Sequence, residues 1–129
     1  MYKRKLERDI HCPLEYGLSI LGGKWKSRIL CVLGTSGPMR YSDLRTALGN
    51  ITDAVLSGAL RELNEENMVE RIQFEEIPPR VEYSLTERGR SALPILKAIA
   101  QWAGALPRKD VPADAVHCQR CDYQAPEKP

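Results

Sequence analysis

Cys12 is the residue whose position best suits chemistry in this chain of 129 residues. It precedes Pro13, and proline is well tolerated at the first position of a helix because its missing N–H has no partner there. The positive end of a helix favours a thiolate over a thiol, and the thiolate reacts with oxidants and electrophiles. Cys12 is therefore a candidate redox or electrophile sensor; the alternative is a half-buried cysteine that only begins the helix.

A second pair of thiols, Cys118 and Cys121, has Cys-x-x-Cys spacing with His117 beside it. This is a weak candidate zinc site, because a closed structural site needs four ligands. A second tail in a dimer could supply the missing ligands, as could His11 or Cys12 if the tail folds back. Redox pairing of the two thiols and a tail with spare thiols are the alternatives. We expect no cofactor, with zinc as the one exception.

Nothing in the sequence predicts an enzyme. The only histidines are His11 and His117, and there is no glycine-rich phosphate loop. The neighbouring carboxylates Glu75 and Glu76 are more typical of loop charge than of an acid–base pair. A thiol oxidoreductase built on the Cys-x-x-Cys pair would need a βαβ context, which is missing.

Composition predicts one globular domain in the cytoplasm. The formal net charge is +2, which neither favours nor excludes DNA, because DNA-binding proteins often concentrate charge on one face. No apolar run is long enough to span a membrane, and no apolar signal core follows the basic N-terminus. The cysteines would then be reduced, and Cys31 would be an inert packing residue.

The stretch from Asn50 to Leu85 predicts the elements that would form a binding surface. Thr52 is an expected N-cap, and the apolar period after it predicts a helix to about Glu66. Alternation then predicts a hairpin of Val69 to Phe74 and Arg80 to Leu85, with a stiff Pro-Pro loop between the strands. A helix followed by a hairpin with a basic tip suits a DNA duplex better than a small molecule.

The rest of the chain predicts further helices. We expect Pro13 to Leu21, Lys24 to Leu33, Asp43 to Leu48 with Ser42 as N-cap, and Glu87 to about Leu106 with Thr86 as N-cap. Gly34 to Pro38 would be a turn, and Pro94 would bend or interrupt the last helix. The helix that begins at Asp43 and the helix after Thr52 are joined by a tight glycine-containing turn, which is typical of a helix-turn-helix.

Several separate motifs give the chain a family resemblance. The run from Cys12 to Lys26 resembles the opening of the HxlR-type transcriptional regulators, and so do three shorter runs: Arg40 to Leu44, Leu60 to Leu63 and Pro78 to Thr86. The resemblance covers roughly residues 12–104 in matching order. It implies a winged-helix homodimer, related in fold to the MarR-like group, that binds operator DNA and represses or activates nearby genes.

The expected fold is mainly α with a small β-hairpin, a winged helix-turn-helix that dimerises through its N- and C-terminal helices. It would span residues 12–106, after a polar arm (1–11) and before a tail (107–129) that holds the Cys-x-x-Cys pair. The apolar stripe of the last helix is long relative to the core it could cover. We therefore expect part of it to pack on a second copy, with the helix after Cys12; the alternative is packing on its own core.

The predicted recognition helix departs from the family pattern, which is usually polar and often Gln-rich at the positions of Ser57 and Gly58. Arg61 could reach a guanine or a phosphate, and Ser57 can pair with either kind of base. Arg80 would suit a narrow minor groove, or would pair with Glu75, Glu76 or Glu82 as a surface arginine. The expected DNA-binding residues are Lys24, Arg40, Ser42, Thr52, Asp53, Ser57, Arg61 and Arg80.

The sequence thus predicts a homodimeric, sequence-specific regulator of transcription that binds double-stranded DNA and responds to a small molecule or an oxidant. The alternative is a winged helix used only for protein contacts, which the weakly polar recognition helix favours.

Overall fold

The computed structural model describes residues 12–104, which form a mainly helical domain with a small antiparallel sheet. The elements in chain order are α1 (Pro13–Leu21), α2 (Lys24–Ser36), β1 (Met39–Arg40), α3 (Tyr41–Leu48), α4 (Asp53–Glu65), β2 (Val69–Phe74), β3 (Arg80–Leu85), α5 (Glu87–Ser91) and α6 (Leu93–Gly104). This confirms the predicted mainly α fold with a small β-hairpin. No helix among these residues is both long and apolar enough to cross a membrane. The predicted arm and tail lie outside the described residues.

The core holds α4 against α2 and α3. Leu56 and Leu63 of α4 and Leu44 of α3 are fully buried. Ile29 and Leu30 of α2 are buried with them. Burying one such side chain contributes roughly 1.5–3 kcal/mol, so the apolar face of α4 fixes which of its residues point to solvent.

The predicted caps of two helices are confirmed. The Thr52 hydroxyl accepts a hydrogen bond from the Val55 N–H at 3.2 Å, and the Thr86 hydroxyl accepts one from the Gly89 N–H at 3.0 Å. The helix α4 is followed by Asn67, which has a φ of +60° and turns the chain into β2. These local signals set where α4 begins and where the hairpin follows it.

The hairpin has the predicted strand limits, and its register pairs Val69 with Leu85 and Phe74 with Arg80. The sheet has a third strand within the segment from Met39 to Tyr41, which the sequence predicts as a short extended piece without a pairing partner. The two residues of β1 pair with β3, Arg40 opposite Glu82, so the strand order is β1-β3-β2. A strand of two residues has no period to detect, and tertiary pairing alone defines it.

Two predicted boundaries in the first half of the domain are wrong. The helix α2 continues through Gly34 to Ser36, and the turn follows at Gly37, where φ is +79°. Gly34 is tolerated inside the helix because Leu93 packs there; an added Cβ would lie 2.7 Å from its Cδ1 atom. The helix α3 begins at Tyr41 with Arg40 as its N-cap, so Ser42 lies in the first turn and is not the cap.

The last predicted helix is two helices. The first, α5, ends at Ser91, and α6 begins at Leu93, with Pro94 at its second position. The predicted interruption is therefore confirmed, close to the proline that causes it. The predicted end at Leu106 lies outside the described residues.

Candidate nucleic-acid interface

The solvent face of α4 presents a strip of polar side chains at every fourth position. Asp53, Ser57 and Arg61 are all exposed, and this spacing puts them on one side of the helix. The opposite side is buried in the core, which fixes the strip in orientation. The strip is therefore a preformed surface.

Asp53 and Ser57 also belong to a polar cluster between α3 and α4, formed with Tyr41 and Arg45. The Tyr41 hydroxyl donates a hydrogen bond to Oδ1 of Asp53 at 2.9 Å and lies 3.5 Å from Oγ of Ser57. Nε of Arg45 lies 3.5 Å from the same Oδ1. Sequence reasoning missed Tyr41 and Arg45 as functional candidates. The one sequence signal that could have paired them is their spacing of one helical turn.

Three of the predicted DNA-contacting cations have no carboxylate partner within residues 12–104. Lys24, Arg40 and Arg61 are exposed and form no ion pair with a described residue. The ammonium of Lys24 lies over the ring of Trp25, 4.8 Å from the ring centre, a contact that leaves its charge without an opposing carboxylate. These side chains are free to contact phosphate.

Arg80 has a different environment on the hairpin. Its guanidinium lies over the ring of Phe74, 4.1 Å from the ring centre. Its Nε atom lies 3.3 Å from Oε2 of Glu76 and 3.5 Å from Oε2 of Glu82, and makes no hydrogen bond of good geometry. Pairing of Arg80 with these glutamates is the predicted alternative to a DNA contact.

The remaining predicted contact residues lie at helix starts. Thr52 is exposed, but its hydroxyl already caps α4. Ser42 is exposed in the first turn of α3, and its carbonyl accepts a hydrogen bond from the Thr46 hydroxyl at 3.0 Å. Contact of these residues with DNA stays a prediction.

The C-terminal end of α4 is attached to α1. Oε2 of Glu66 accepts a hydrogen bond from the Tyr16 hydroxyl at 2.9 Å, and the Tyr16 oxygen accepts one from Nη2 of Arg88 at 3.0 Å. Arg88 also lies 3.8 Å from Glu66. Tyr16 and Arg88 were not among the predicted residues; three separated parts of the chain meet here, which no local pattern shows.

A second attachment runs through Lys26. Its Nζ lies 3.2 Å from Oε2 of Glu62 on α4 and donates a hydrogen bond to the Ser19 carbonyl of α1 at 3.1 Å. An open groove of about 310 Å³ lies beside it, between the start of α2 and α4, with Trp25 and Val55 in its walls. Lys26 thus links α1, α2 and α4.

Cys12 lies immediately before α1 and is half-buried, and its carbonyl accepts a hydrogen bond from the Tyr16 N–H at 3.1 Å. Cys31 is also only half-buried, although it packs against the core as predicted. His117, Cys118 and Cys121 lie outside the described residues. Within residues 12–104 no three His, Cys, Asp or Glu side chains are grouped to hold a metal ion.

The comparison with known protein families shows which kind of protein carries this surface. Residues 20–110 match the model of the HxlR-like helix-turn-helix proteins. The chain belongs to this family. An HTH-type transcriptional regulator from Halalkalibacterium halodurans is 40% identical over 101 residues, which cover 78% of this chain and 89% of the relative.

Solved structures of similar chains agree with this family assignment. The redox regulator HypR in its oxidized form has a TM-score of 0.66 at 35% identity, covering 75% of this chain and 99% of HypR. Reduced YodB from Bacillus subtilis has a TM-score of 0.67 at 33% identity, covering 73% of this chain and 92% of YodB. YodB is also known in diamide-treated and quinone-bound forms. The protein with the sequence above is thus a transcriptional regulator with a MarR-like winged helix. Its relatives are regulators rather than enzymes.

Proposed function

We propose that the protein binds double-stranded DNA sequence-specifically as a homodimer, and that reaction of the Cys12 thiol changes this binding. The observation that supports it most is the fixed polar strip on α4, together with the exposed cations Lys24, Arg40 and Arg61, which form no ion pair with another residue of 12–104. A recognition helix needs such a surface, because base edges give specificity and phosphates give most of the affinity.

The residues of the strip divide between these two tasks. Arg61 and Ser57 can reach base edges from α4, and Lys24 and Arg40 would hold the phosphates on either side of the groove. Arg80 would contact the minor groove from the hairpin if it exchanged its two carboxylate partners for DNA. Ser42 and Thr52, at the starts of α3 and α4, would donate to phosphate oxygens.

The case for a homodimer comes from apolar side chains left exposed on α1 and α6. Leu14 and Leu18 on α1 are 68% and 54% exposed, and Ile99 and Trp102 on α6 are 44% and 67% exposed. Monomeric proteins seldom leave large contiguous apolar patches in water. A second copy packed on both helices would present two α4 helices to two half-sites.

The salt dependence of DNA binding tests the phosphate contacts. Log affinity falls as log salt concentration rises, and each phosphate contact adds about 0.9 to the steepness of this fall. Arg40→Ala should therefore make the slope shallower by about 2 per dimer. Arg90→Ala is the matched control, because Arg90 lies on α5 and donates to the Leu85 carbonyl at 3.0 Å. Equal slopes for wild type and Arg40→Ala would contradict the proposed contact.

The proposed thiol response concerns Cys12 because it lies one helical turn before Tyr16, which contacts Glu66 next to the end of α4. A quinone, which adds to a single thiolate and needs no second thiol, should change the DNA affinity of the wild-type protein by about 5- to 150-fold, the usual range of coupling between two sites. Cys12→Ser should remove the change, whereas Cys31→Ser should keep it. A full response in Cys12→Ser would assign the effect to another thiol.

A second candidate function is protein contact without specific DNA binding. It is favoured by the hairpin tip, where Ile77 is fully exposed between Glu76 and Pro78, beside Glu75. Acidic side chains at the tip are unfavourable near phosphates. Binding to DNA that is weak and unchanged by sequence would favour this function over the first.

A further inference from the structure

We infer that Asp53 reads a cytosine in the major groove, and that Tyr41 and Arg45 are positioning residues that hold its carboxylate for this contact. The inference rests on the proposed function and deepens it, because it names the base that the first turn of α4 prefers.

The two oxygens of Asp53 have different surroundings. Oδ1 accepts the hydrogen bond from Tyr41 at 2.9 Å and lies 3.5 Å from Nε of Arg45. Oδ2 accepts no hydrogen bond from another residue within residues 12–104, and the side chain is 65% exposed. One oxygen is therefore anchored, and the other can accept a hydrogen bond from outside the chain.

The cluster also solves an electrostatic problem. A carboxylate close to DNA is repelled by the phosphates, so a reading carboxylate needs nearby positive charge. Arg45 supplies a full charge, the Tyr41 hydroxyl a dipole, and the N-terminus of α4 the positive end of a helix. Asp53 can thus approach a duplex at a smaller cost than an isolated carboxylate.

The chemistry of a carboxylate selects among the bases. A carboxylate only accepts hydrogen bonds, and cytosine offers its N4 amino group in the major groove. Guanine and thymine offer acceptors there, which repel a second acceptor. Adenine offers an amino group with the N7 acceptor beside it, so it is the second choice. The N-terminal residues of a recognition helix are those that contact base edges, and Asp53 is the first residue of α4.

The test is a comparison of base preferences. DNA sites are selected from a random pool with the full chain, and each base pair of the selected site is then replaced in turn in synthetic duplexes. The wild-type protein should prefer cytosine at one position of each half-site. Asp53→Asn should change the preference at that position to adenine, because an amide pairs with both N6 and N7, with a change in discrimination of about 5- to 100-fold.

Two further variants separate reading from folding. Tyr41→Phe keeps the carboxylate and loosens it, so it should weaken the preference for cytosine without changing the base preferred. Asp43→Asn removes the same charge from the exposed surface of α3 and should leave all preferences unchanged.

The outcomes distinguish the inference from the function on which it rests. If no site is selected, the proposed function fails and the inference fails with it. If Asp53→Asn changes affinity equally for all bases, or lowers only the temperature of unfolding, Asp53 is structural and the inference alone is overturned. If Asp53→Asn does not fold, an undiminished cytosine preference in Tyr41→Phe overturns it instead.

Discussion

Gly58 and Gly89 both lie within helices, but a side chain added at the two positions would have very different surroundings. At Gly58 on α4 an added Cβ would meet only Nη2 of Arg61, at 4.0 Å. At Gly89 on α5 it would collide with the carbonyl oxygen of Met68. Packing within the chain therefore explains the glycine on α5 and does not explain the glycine on α4, which lies on the proposed DNA-binding face.

Gly58→Ala should accordingly stabilise the protein and weaken its contact with DNA. Alanine favours a helix over glycine by about 0.8–1 kcal/mol, so the free energy of unfolding measured with denaturant should rise by up to that amount. DNA affinity should fall, because the methyl group would keep the α4 backbone from the base edges. An unchanged affinity would mean that the backbone at Gly58 does not approach DNA closely.

Gly89→Ala should have the opposite effect on stability. Forcing a methyl group into occupied space usually costs about 1–3 kcal/mol, and here the obstacle is backbone that cannot change rotamer. Denaturant unfolding of this variant beside Gly58→Ala makes the comparison internal. A Gly89→Ala protein as stable as wild type would mean that α5 can shift away from Met68.

Among the secondary-structure elements, the hairpin and α1 both make contacts that affect the proposed recognition surface on α4. The hairpin holds Arg80 between Glu76 and Glu82, and α1 holds the end of α4 through Tyr16 and Glu66. Each arrangement predicts how a change far from the polar strip alters DNA binding.

Release of Arg80 should strengthen DNA binding. Glu76→Gln removes one of its two carboxylate partners, so affinity and the salt slope should both increase if Arg80 then reaches a phosphate or the minor groove. The double variant Glu76→Gln/Arg80→Ala controls for the lost negative charge, because a double-mutant cycle isolates the coupling of the pair. If the double variant binds as tightly as Glu76→Gln, Arg80 does not contact DNA.

Tyr16→Phe should separate the thiol response from folding. It removes the hydroxyl between Glu66 and Arg88, and these groups are well exposed, so the loss of stability should stay below about 1 kcal/mol. The affinity change caused by the quinone should shrink relative to wild type. A response of undiminished size would show that Cys12 acts on α4 by another route.

The elements show why sequence predicted some parts and not others. Strand alternation, the Pro-Pro loop and the Thr52 cap are local signals, and the hairpin limits and the start of α4 were predicted correctly. The pairing of β1 with β3, the continuation of α2 through Gly34 and the Tyr41–Asp53 contact depend on which elements meet. Asp53 and Ser57 were chosen from sequence as DNA contacts, but their partners on α3 became visible only when the angle between α3 and α4 was known.

In the whole molecule, contact of two α4 helices with two half-sites requires two copies of the chain. Trp102→Glu should give a monomer, because it places a charge on the exposed apolar face of α6, and sedimentation should show the change in mass. DNA affinity should fall as well, since only one α4 would then bind at a time. Ile77→Glu is the control for the sedimentation measurement and should stay dimeric, because Ile77 is also apolar and fully exposed but lies on the hairpin tip. A dimeric Trp102→Glu protein would place the interface elsewhere.

We expect two copies of α4 to lie in the major groove of one duplex. Footprinting of the protein on a site selected from random DNA tests it most directly. Two inverted half-sites should be protected, with centres about 34 Å apart or a multiple of that distance, and Arg61→Ala should lose the protection. Protection of a single half-site, or a footprint that Arg61→Ala leaves unchanged, would contradict the account.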